Sequence, residues 1–169
     1  MSTAAPAPRL DAVAGALTRA EARFVVIGGF AVIAHRHVRA TRDIDLLIPD
    51  DERNDRKVIA ALSSLNGVRA SDRRPLADDL LIGAAHLRAL TDGGLVDIVR
   101  EGVAPLDFET VVSNAVRADY GGGAFLVAGL ASIVGFKRLA NRPVDRQDLE
   151  ALAAIHGELP VDPIPGLDG

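Results

Sequence analysis

The chain of 169 residues contains no cysteine, no tryptophan and a single tyrosine. Without cysteine, a disulfide framework, a thiolate metal centre and a cysteine nucleophile are all excluded. Aromatic residues make up only 4% of the chain, which disfavours a stacking platform for single-stranded nucleic acid. No apolar run reaches the roughly 18 residues that a membrane-spanning helix needs, and residues 1–8 do not resemble a secretory signal. We therefore expect a cytoplasmic protein with no membrane partner.

Positive charge is also scarce. The chain carries 19 Lys and Arg against 23 Asp and Glu, for a formal net charge of −4, and its only lysines are Lys57 and Lys137. This balance disfavours binding of long nucleic acid by bulk charge but leaves room for a local basic patch. The remaining composition, 49% hydrophobic and 25% charged, is typical of a globular protein of one domain.

The hydrophobic pattern predicts an α/β (α+β) domain with a mixed sheet. We expect a loose tail over residues 1–8, a single domain over 9–158 that ends in helices from 129 onward, and a second loose tail over 159–169. Strands are predicted at 24–27, 43–48 and 124–127, and a hairpin at 87–91 and 95–99, where Asp-Gly marks the turn. Helices are predicted at 10–22, 30–37, 108–116, 129–140 and 145–156, and one is predicted after Asp50 or Asp51, either of which can cap it. Residues 68–86 give no clear pattern.

Two glycines, Gly28 and Gly29, end the first predicted strand and lead directly into a helix. A glycine pair lets a phosphate approach the backbone closely, and the start of a helix offers free N–H donors. The same pair also suits a tight strand-to-helix turn with no ligand, so both interpretations stay open on these residues alone.

Asp43 and Asp45 lie two residues apart on the second predicted strand, so both carboxylates share one face. Like charges at this spacing are unfavourable unless a cation or solvent separates them, and Mg²⁺ accepts such oxygen ligands together with substrate phosphates. Asp97 lies in the otherwise apolar segment 95–99 and must be paired or metal-bound there. Its partner is either a metal ion or an arginine such as Arg39 or Arg100.

Taken together, the segments 26–35 and 39–48, followed by the apolar-flanked Asp97, resemble the polymerase-β-like nucleotidyltransferase superfamily. The chain is most similar to its small bacterial branch that includes the AbiE-type toxins. The resemblance implies transfer of a nucleotidyl group from an NTP, with Mg²⁺ or Mn²⁺ held by the catalytic carboxylates Asp43, Asp45 and Asp97. Asp97 is then best placed to accept the proton of the acceptor hydroxyl.

The resemblance also implies a nucleotide-binding set: Gly28, Gly29, Arg39, Thr41 and Lys137. Many members have serine where this chain has Gly29, so the phosphate contact of that hydroxyl must come from elsewhere. Arg39 either binds phosphate or neutralises the carboxylates. Asp145 is interpreted as a helix cap, and Asp148 can reach either Lys137 or Arg142.

The acceptor predicted from the sequence is RNA, for instance a tRNA 3′ end, with a cognate antitoxin protein as a further partner. The argument is local, because Arg36 and Arg42 lie next to the metal carboxylates on an otherwise acidic chain. A non-catalytic nucleotide-binding module, or an antitoxin-like module of the same fold, is the alternative function.

Overall fold

The computed structural model describes residues 4–119 and 123–169 of the chain, so residues 1–3 of the predicted N-terminal tail lie outside the described part. The described residues form seven strands in one mixed sheet, in the order β3-β4-β5-β2-β1-β7-β6. The strands are β1 (Val25–Ile27), β2 (Asp43–Ile48), β3 (Val68–Arg69), β4 (His86–Thr91), β5 (Gly94–Arg100), β6 (Val116–Asp119) and β7 (Ala124–Val127). The six helices are α1 (Leu10–Arg19), α2 (Gly28–Ala34), α3 (Glu52–Ser64), α4 (Phe108–Asn114), α5 (Leu130–Ala140) and α6 (Pro143–His156).

The centre of the sheet is formed by the strands with the most continuous apolar sequence. All three residues of β1 are buried, and β1 pairs with β2 in antiparallel fashion and with β7 in parallel. β2 pairs in parallel with β5, which places the Asp97 strand beside the Asp43–Asp45 strand. Among the helices, α1 packs with α3 and α5 packs with α6. The predicted α/β class with a mixed sheet is therefore confirmed.

The hairpin predicted at 87–91 and 95–99 is present, but its turn has two residues, Asp92 and Gly93, because β5 already begins at Gly94. Thr91 pairs with Gly94 across the turn, and the Thr91 hydroxyl donates to the Gly94 carbonyl at 2.9 Å. Counting back from this turn places Arg88 opposite Asp97. The turn thus determines which β4 side chains lie beside the Asp97 carboxylate.

Several element boundaries differ from the sequence-based expectation. α2 begins at Gly28 itself, two residues earlier than predicted. The helix predicted over 108–116 ends at Asn114, and Val116 begins the mostly exposed edge strand β6, which has no alternating apolar pattern to reveal it. α6 begins at Pro143 with Arg142 as its N-cap, so Asp145 is the third residue of the helix and not its cap. The cap of α3 is Asp51, whose side chain accepts from the backbone N–H groups of Arg53 and Asn54.

Most described residues of the two predicted tails are exposed, but one part of each tail packs against the rest of the chain. Pro8 lies against Gly94, and the backbone N–H of Arg9, the first residue of the predicted domain, donates to the Gly93 carbonyl at 2.8 Å. Near the C-terminus, Ile164 is buried and Asp168 pairs with Arg138 of α5. Neither segment belongs to a helix or a strand, so no hydrophobic periodicity in the sequence indicates these contacts. No helix in the described part of the chain is long and apolar enough to cross a membrane.

Candidate active site

Three carboxylates converge where β2 and β5 run side by side. Asp45 lies opposite Asp97 in the parallel register, and Asp43 lies one pleat away on the same face of β2. On the other face of β2, Ile44 and Leu46 are fully buried in the core. Period-two alternation in a half-buried strand therefore brings all three predicted acidic residues together.

Asp45 bears most of the electrostatic cost of this arrangement. Burial is the largest cause that raises the pKa of its carboxyl, and the negative charges of Asp97 and Asp43 act in the same direction, so that the pKa is about 7. The charges of Lys137 and Arg142 act in the opposite direction and do not compensate. Within residues 4–119 and 123–169, no side chain forms an ion pair or hydrogen bond with the Asp45 carboxylate.

Asp43 and Asp97 are instead approached by two side chains of β4. The Arg88 Nη2 atom lies 2.7 Å from Asp43 Oδ2, and its Nε atom lies 3.6 Å from Asp97 Oδ1. The His86 Nε2 atom lies 3.1 Å from the same Asp97 oxygen. Sequence reasoning missed both residues, although the register set by the Asp92-Gly93 turn could have identified Arg88.

The arginine partners suggested for Asp97 from the sequence are wrong. Arg39 forms two hydrogen bonds with Asp148, at 2.8 and 3.0 Å. Arg100 pairs with the buried Asp55 at 2.9 Å. Both arginines satisfy other acids because the fold brings those acids closer, and Asp97 is left to the β4 side chains.

The glycine pair makes room for side chains of the chain itself. Gly28 has a φ of 68°, and a Cβ atom at this position would lie 2.1 Å from Asp45 Oδ2. A Cβ atom at Gly29 would lie 2.6 Å from the Thr41 Oγ1 atom and 3.2 Å from Arg39 Nη1. The absence of side chains at 28 and 29 thus allows Asp45 and Thr41 to pack against the start of α2. The Thr41 hydroxyl occupies the space next to residue 29.

Lys137 projects from α5 into a buried ionic cluster. Its Nζ atom lies 2.9 Å from both Asp145 Oδ1 and Asp148 Oδ2, and only 6% of its side chain is exposed. Asp148 therefore reaches Lys137, one of its two expected partners, but pairs with Arg39 in place of Arg142. This cluster connects the loop before β2 to α5 and α6.

Asp145 is the second acid of that cluster. Although burial alone would raise its pKa, hydrogen bonds from Arg142 and Lys137 outweigh this effect and lower the pKa to about 2. The Arg142 Nε atom lies 2.7 Å from Asp145 Oδ2. Asp145 and Arg142 also form a reciprocal capping box at the start of α6.

Three of the four predicted cationic residues, Arg39, Arg42 and Lys137, line one cavity. A cavity of about 280 Å³ is bordered by Gly28, Gly29, Thr41 and the basic side chains of Arg39, Arg42, Lys137 and Arg142. Arg42 therefore borders the same cavity as Gly28 and Gly29. Arg36 is exposed at the end of α2, with a φ of 81°, and does not border this cavity.

A second cavity of about 370 Å³ adjoins the first and shares Gly28, Asp43, Asp45, Lys137 and Arg142 with it. Its wall adds Asp97 and Arg88 on one side, and the apolar side chains of Ile133 and Phe136 from α5 on the other. The two cavities form one cleft, with acidic groups on the strand side and cationic groups toward the helix side.

The residues present fit a divalent cation. Among the described residues, no group of three carboxylate or imidazole side chains is close enough to form a ready-made metal cage. Mg²⁺ nevertheless needs only one or two carboxylates when substrate phosphates complete its shell. The uncompensated Asp45 carboxylate next to Asp97 is a donor set of this kind.

A protein-family model matches part of the chain. The family model of the aminoglycoside-2''-adenylyltransferases matches residues 9–81, less than half of the chain; this segment includes both glycines, Asp43 and Asp45. No curated protein matches the sequence. The matching family model is not that of the AbiE-type toxins, so membership in that branch stays a prediction.

Solved structures extend the likeness over most of the chain. The crystal structure of ANT(2'')-Ia in complex with adenylyl-2''-tobramycin is 16% identical with a TM-score of 0.59, covering 88% of this chain and 87% of that one. A solution structure of the antibiotic-resistance factor ANT(2'')-Ia is 15% identical with a TM-score of 0.60, and the match covers 88% of this chain and 82% of that one. A nucleotidyltransferase-like protein from Thermotoga maritima is 14% identical with a TM-score of 0.55, and the match covers 87% of this chain and 91% of that one. The chain has the fold of the nucleotidyltransferases.

Proposed function

We propose that this protein transfers a nucleotidyl group from an NTP to a hydroxyl group of an acceptor. The observation that carries the proposal is the pairing of Asp45 with Asp97 on adjacent parallel strands. One of these carboxylates has no cationic partner, and both border a cleft with a cationic wall. Two acidic groups forced together in this way suit a site that binds a metal–nucleotide complex.

The nucleotide's phosphates would bind on the side of the cleft that the glycine pair borders. Arg42 is exposed there and can pair with phosphate oxygens. Arg142 is exposed as well, but its Nε and Nη2 atoms already donate to Asp145, so it would contribute mainly positive charge. The Thr41 hydroxyl, next to Gly29, would provide the contact that a serine at position 29 provides in many members of the superfamily. Lys137 and Arg39 would act mainly by holding this wall in place, because Asp145 and Asp148 already occupy their charged groups.

Asp45 and Asp97 would hold Mg²⁺ or Mn²⁺ together with the substrate phosphates, and Asp43 would join them once it is free of Arg88. The metal when bound would supply positive charge to the phosphates during an in-line displacement. Asp97 would accept the proton of the acceptor hydroxyl as the new O–P bond forms at the α-phosphorus. The bond from that phosphorus to the pyrophosphate leaving group breaks in the same step, so atoms and charge are balanced.

The proposed acceptor is RNA, in a toxin-like role with an antitoxin as partner. It is supported by two exposed basic residues, Arg42, which borders the cavity at Asp43 and Asp45, and Arg36, at the end of α2. An aminoglycoside is the competing acceptor, because a structure of similar fold holds adenylyl-2''-tobramycin. The two differ in charge, since RNA is a polyanion and an aminoglycoside a polycation.

The decisive experiment incubates the protein with each α-³²P-labelled NTP, Mg²⁺ and either total RNA or tobramycin. We expect a labelled RNA species with wild-type protein and none with Asp45→Asn or Asp97→Asn. Asp119→Asn, at an exposed position on the far edge strand β6, serves as the matched control and should label normally. Normal labelling by both site variants would overturn the proposed chemistry, and labelling of tobramycin alone would overturn the RNA acceptor.

A further inference from the structure

A groove on the β3–β4 side of the sheet lies next to the candidate active site. It has a volume of about 630 Å³, and its lining includes Arg69, Ser71, His86 and Arg88. Two of these residues, His86 and Arg88, contact the Asp97 carboxylate at 3.1 and 3.6 Å. Although Asp97 does not itself line the groove, two side chains of the groove wall contact the carboxylate that would accept the proton in the proposed reaction.

The charge of this groove has one sign. Of the described residues that line it, none is acidic, whereas two are arginines. Arg69 is 40% exposed and lies 3.5 Å from Asp72, outside the lining. A half-exposed pair at this distance contributes little free energy, so Arg69 remains available to an anionic ligand.

Arg88 connects the groove with the cleft, since it borders both. Its guanidinium group pairs with Asp43 and its side chain is 47% exposed. A divalent cation at the carboxylates would displace this pairing through like-charge repulsion. The displaced side chain can then turn toward the groove, which adds a second positive charge beside Arg69.

We propose that this groove is the acceptor site and that its ligand carries phosphate near the reacting hydroxyl, with Arg69 and Arg88 binding the phosphate. This inference rests on the proposed function and deepens it. It moves acceptor binding away from Arg42, which borders the nucleotide side of the cleft. A polycationic aminoglycoside would meet two arginines and no carboxylate in the groove.

The test uses the full chain saturated with Mg²⁺ and a non-hydrolysable α,β-methylene NTP analogue. Binding of three probes is then measured: a 5′-fluorescein oligoribonucleotide with a free 3′ hydroxyl, by anisotropy; ribose 5-phosphate, by competition; and tobramycin, by calorimetry. We expect the oligoribonucleotide to bind and Arg69→Gln and Arg88→Gln each to weaken it roughly tenfold, as for loss of a charged hydrogen bond. Arg117→Gln, on the opposite edge strand β6, is the matched control and should bind as the wild type does.

Arg69→Gln is the decisive variant because Arg69 does not contact the carboxylates, so binding of the metal–nucleotide should stay unchanged. If ribose 5-phosphate displaces the oligoribonucleotide at a concentration similar to that of the oligoribonucleotide, the phosphate that the groove binds belongs to a small sugar phosphate. If ribose 5-phosphate does not displace it, the phosphate belongs to an RNA strand. Tobramycin binding, or oligoribonucleotide binding by both groove variants that is unchanged from the wild type, would overturn the acceptor assignment. The acceptor assignment would also be overturned if neither the oligoribonucleotide nor ribose 5-phosphate bound. Failure of the wild type to bind the metal–nucleotide would instead overturn the proposed function itself.

Discussion

Asp45 is the residue at which local chemistry and stability conflict most directly. Its folded-state pKa of about 7 lies well above the ordinary value of 3.8. A folded protein that holds this proton more tightly than the unfolded chain loses stability as pH rises from about 4 to about 7. Above that range the loss is constant, because the group is ionised in both states.

We therefore expect Asp45→Asn to stabilise the metal-free protein. The advantage should grow between pH 4 and 7 and level off at roughly 1–3 kcal/mol, since partial exposure reduces the full effect of the shift. Urea unfolding in EDTA at several pH values measures it. Asp119→Asn should show no such trend, and a pH-independent difference for Asp45→Asn would mean that its carboxyl ionises normally.

Gly29 offers a second test at the residue scale. A Cβ atom there would lie 2.6 Å from Thr41 Oγ1 and 2.9 Å from Thr41 Cβ, so Gly29→Ala should lower the free energy of unfolding by about 1–3 kcal/mol. Thr41→Ala in the same chain should recover part of this loss, because it removes the closer atom. Gly102→Ala is the control, since nothing lies within 4 Å of that position. Additive losses in the double variant would contradict the proposed contact.

At the scale of elements, the ionic cluster around Lys137 joins α5, α6 and the loop before β2. Lys137→Met would leave Asp145 and Asp148 buried without their shared ammonium group. We expect a loss of about 3–5 kcal/mol in the free energy of unfolding, as when one partner of a buried ion pair is removed. Lys57→Met changes the other lysine, whose Nζ atom makes only a 3.5 Å contact with a backbone carbonyl, and should cost far less. Unchanged stability in Lys137→Met, with loss of NTP binding alone, would instead make Lys137 a direct phosphate ligand.

The elements that sequence predicted well are those with a strong local pattern. The apolar runs of β1 and β5, the alternation of β2 and the Asp92-Gly93 turn are all visible in short windows. The nearness of Asp45 and Asp97 followed from placing two such strands side by side. By contrast, Arg39 and Asp148 are 109 residues apart in sequence, and no local pattern connects them. The edge strands β3 and β6 are short and largely polar or exposed, so they lack the periodicity that reveals a strand.

For the whole molecule, we expect nucleotide and metal to bind together. The carboxylates alone form an incomplete shell, and Arg88 competes for Asp43, so Mg²⁺ or Mn²⁺ should bind weakly until NTP phosphates are present. Calorimetry should show weak Mn²⁺ binding without NTP and much tighter binding with it, and the pair should raise Tm more than either component alone. Tight binding of Zn²⁺ without any nucleotide would contradict this interpretation of the site.

The two-residue turn between β4 and β5 has a consequence for how this protein can tolerate insertions. Arg88 and His86 face Asp97 only because Thr91 pairs with Gly94. A slip of one residue in this pairing would send both basic side chains to the opposite face of the sheet while leaving the strands themselves intact. The length of the hairpin loop, although distant from the carboxylates, therefore determines which β4 residues face the site. A change of loop length that shifted this pairing by one residue would take His86 and Arg88 away from Asp97 without substituting either of them.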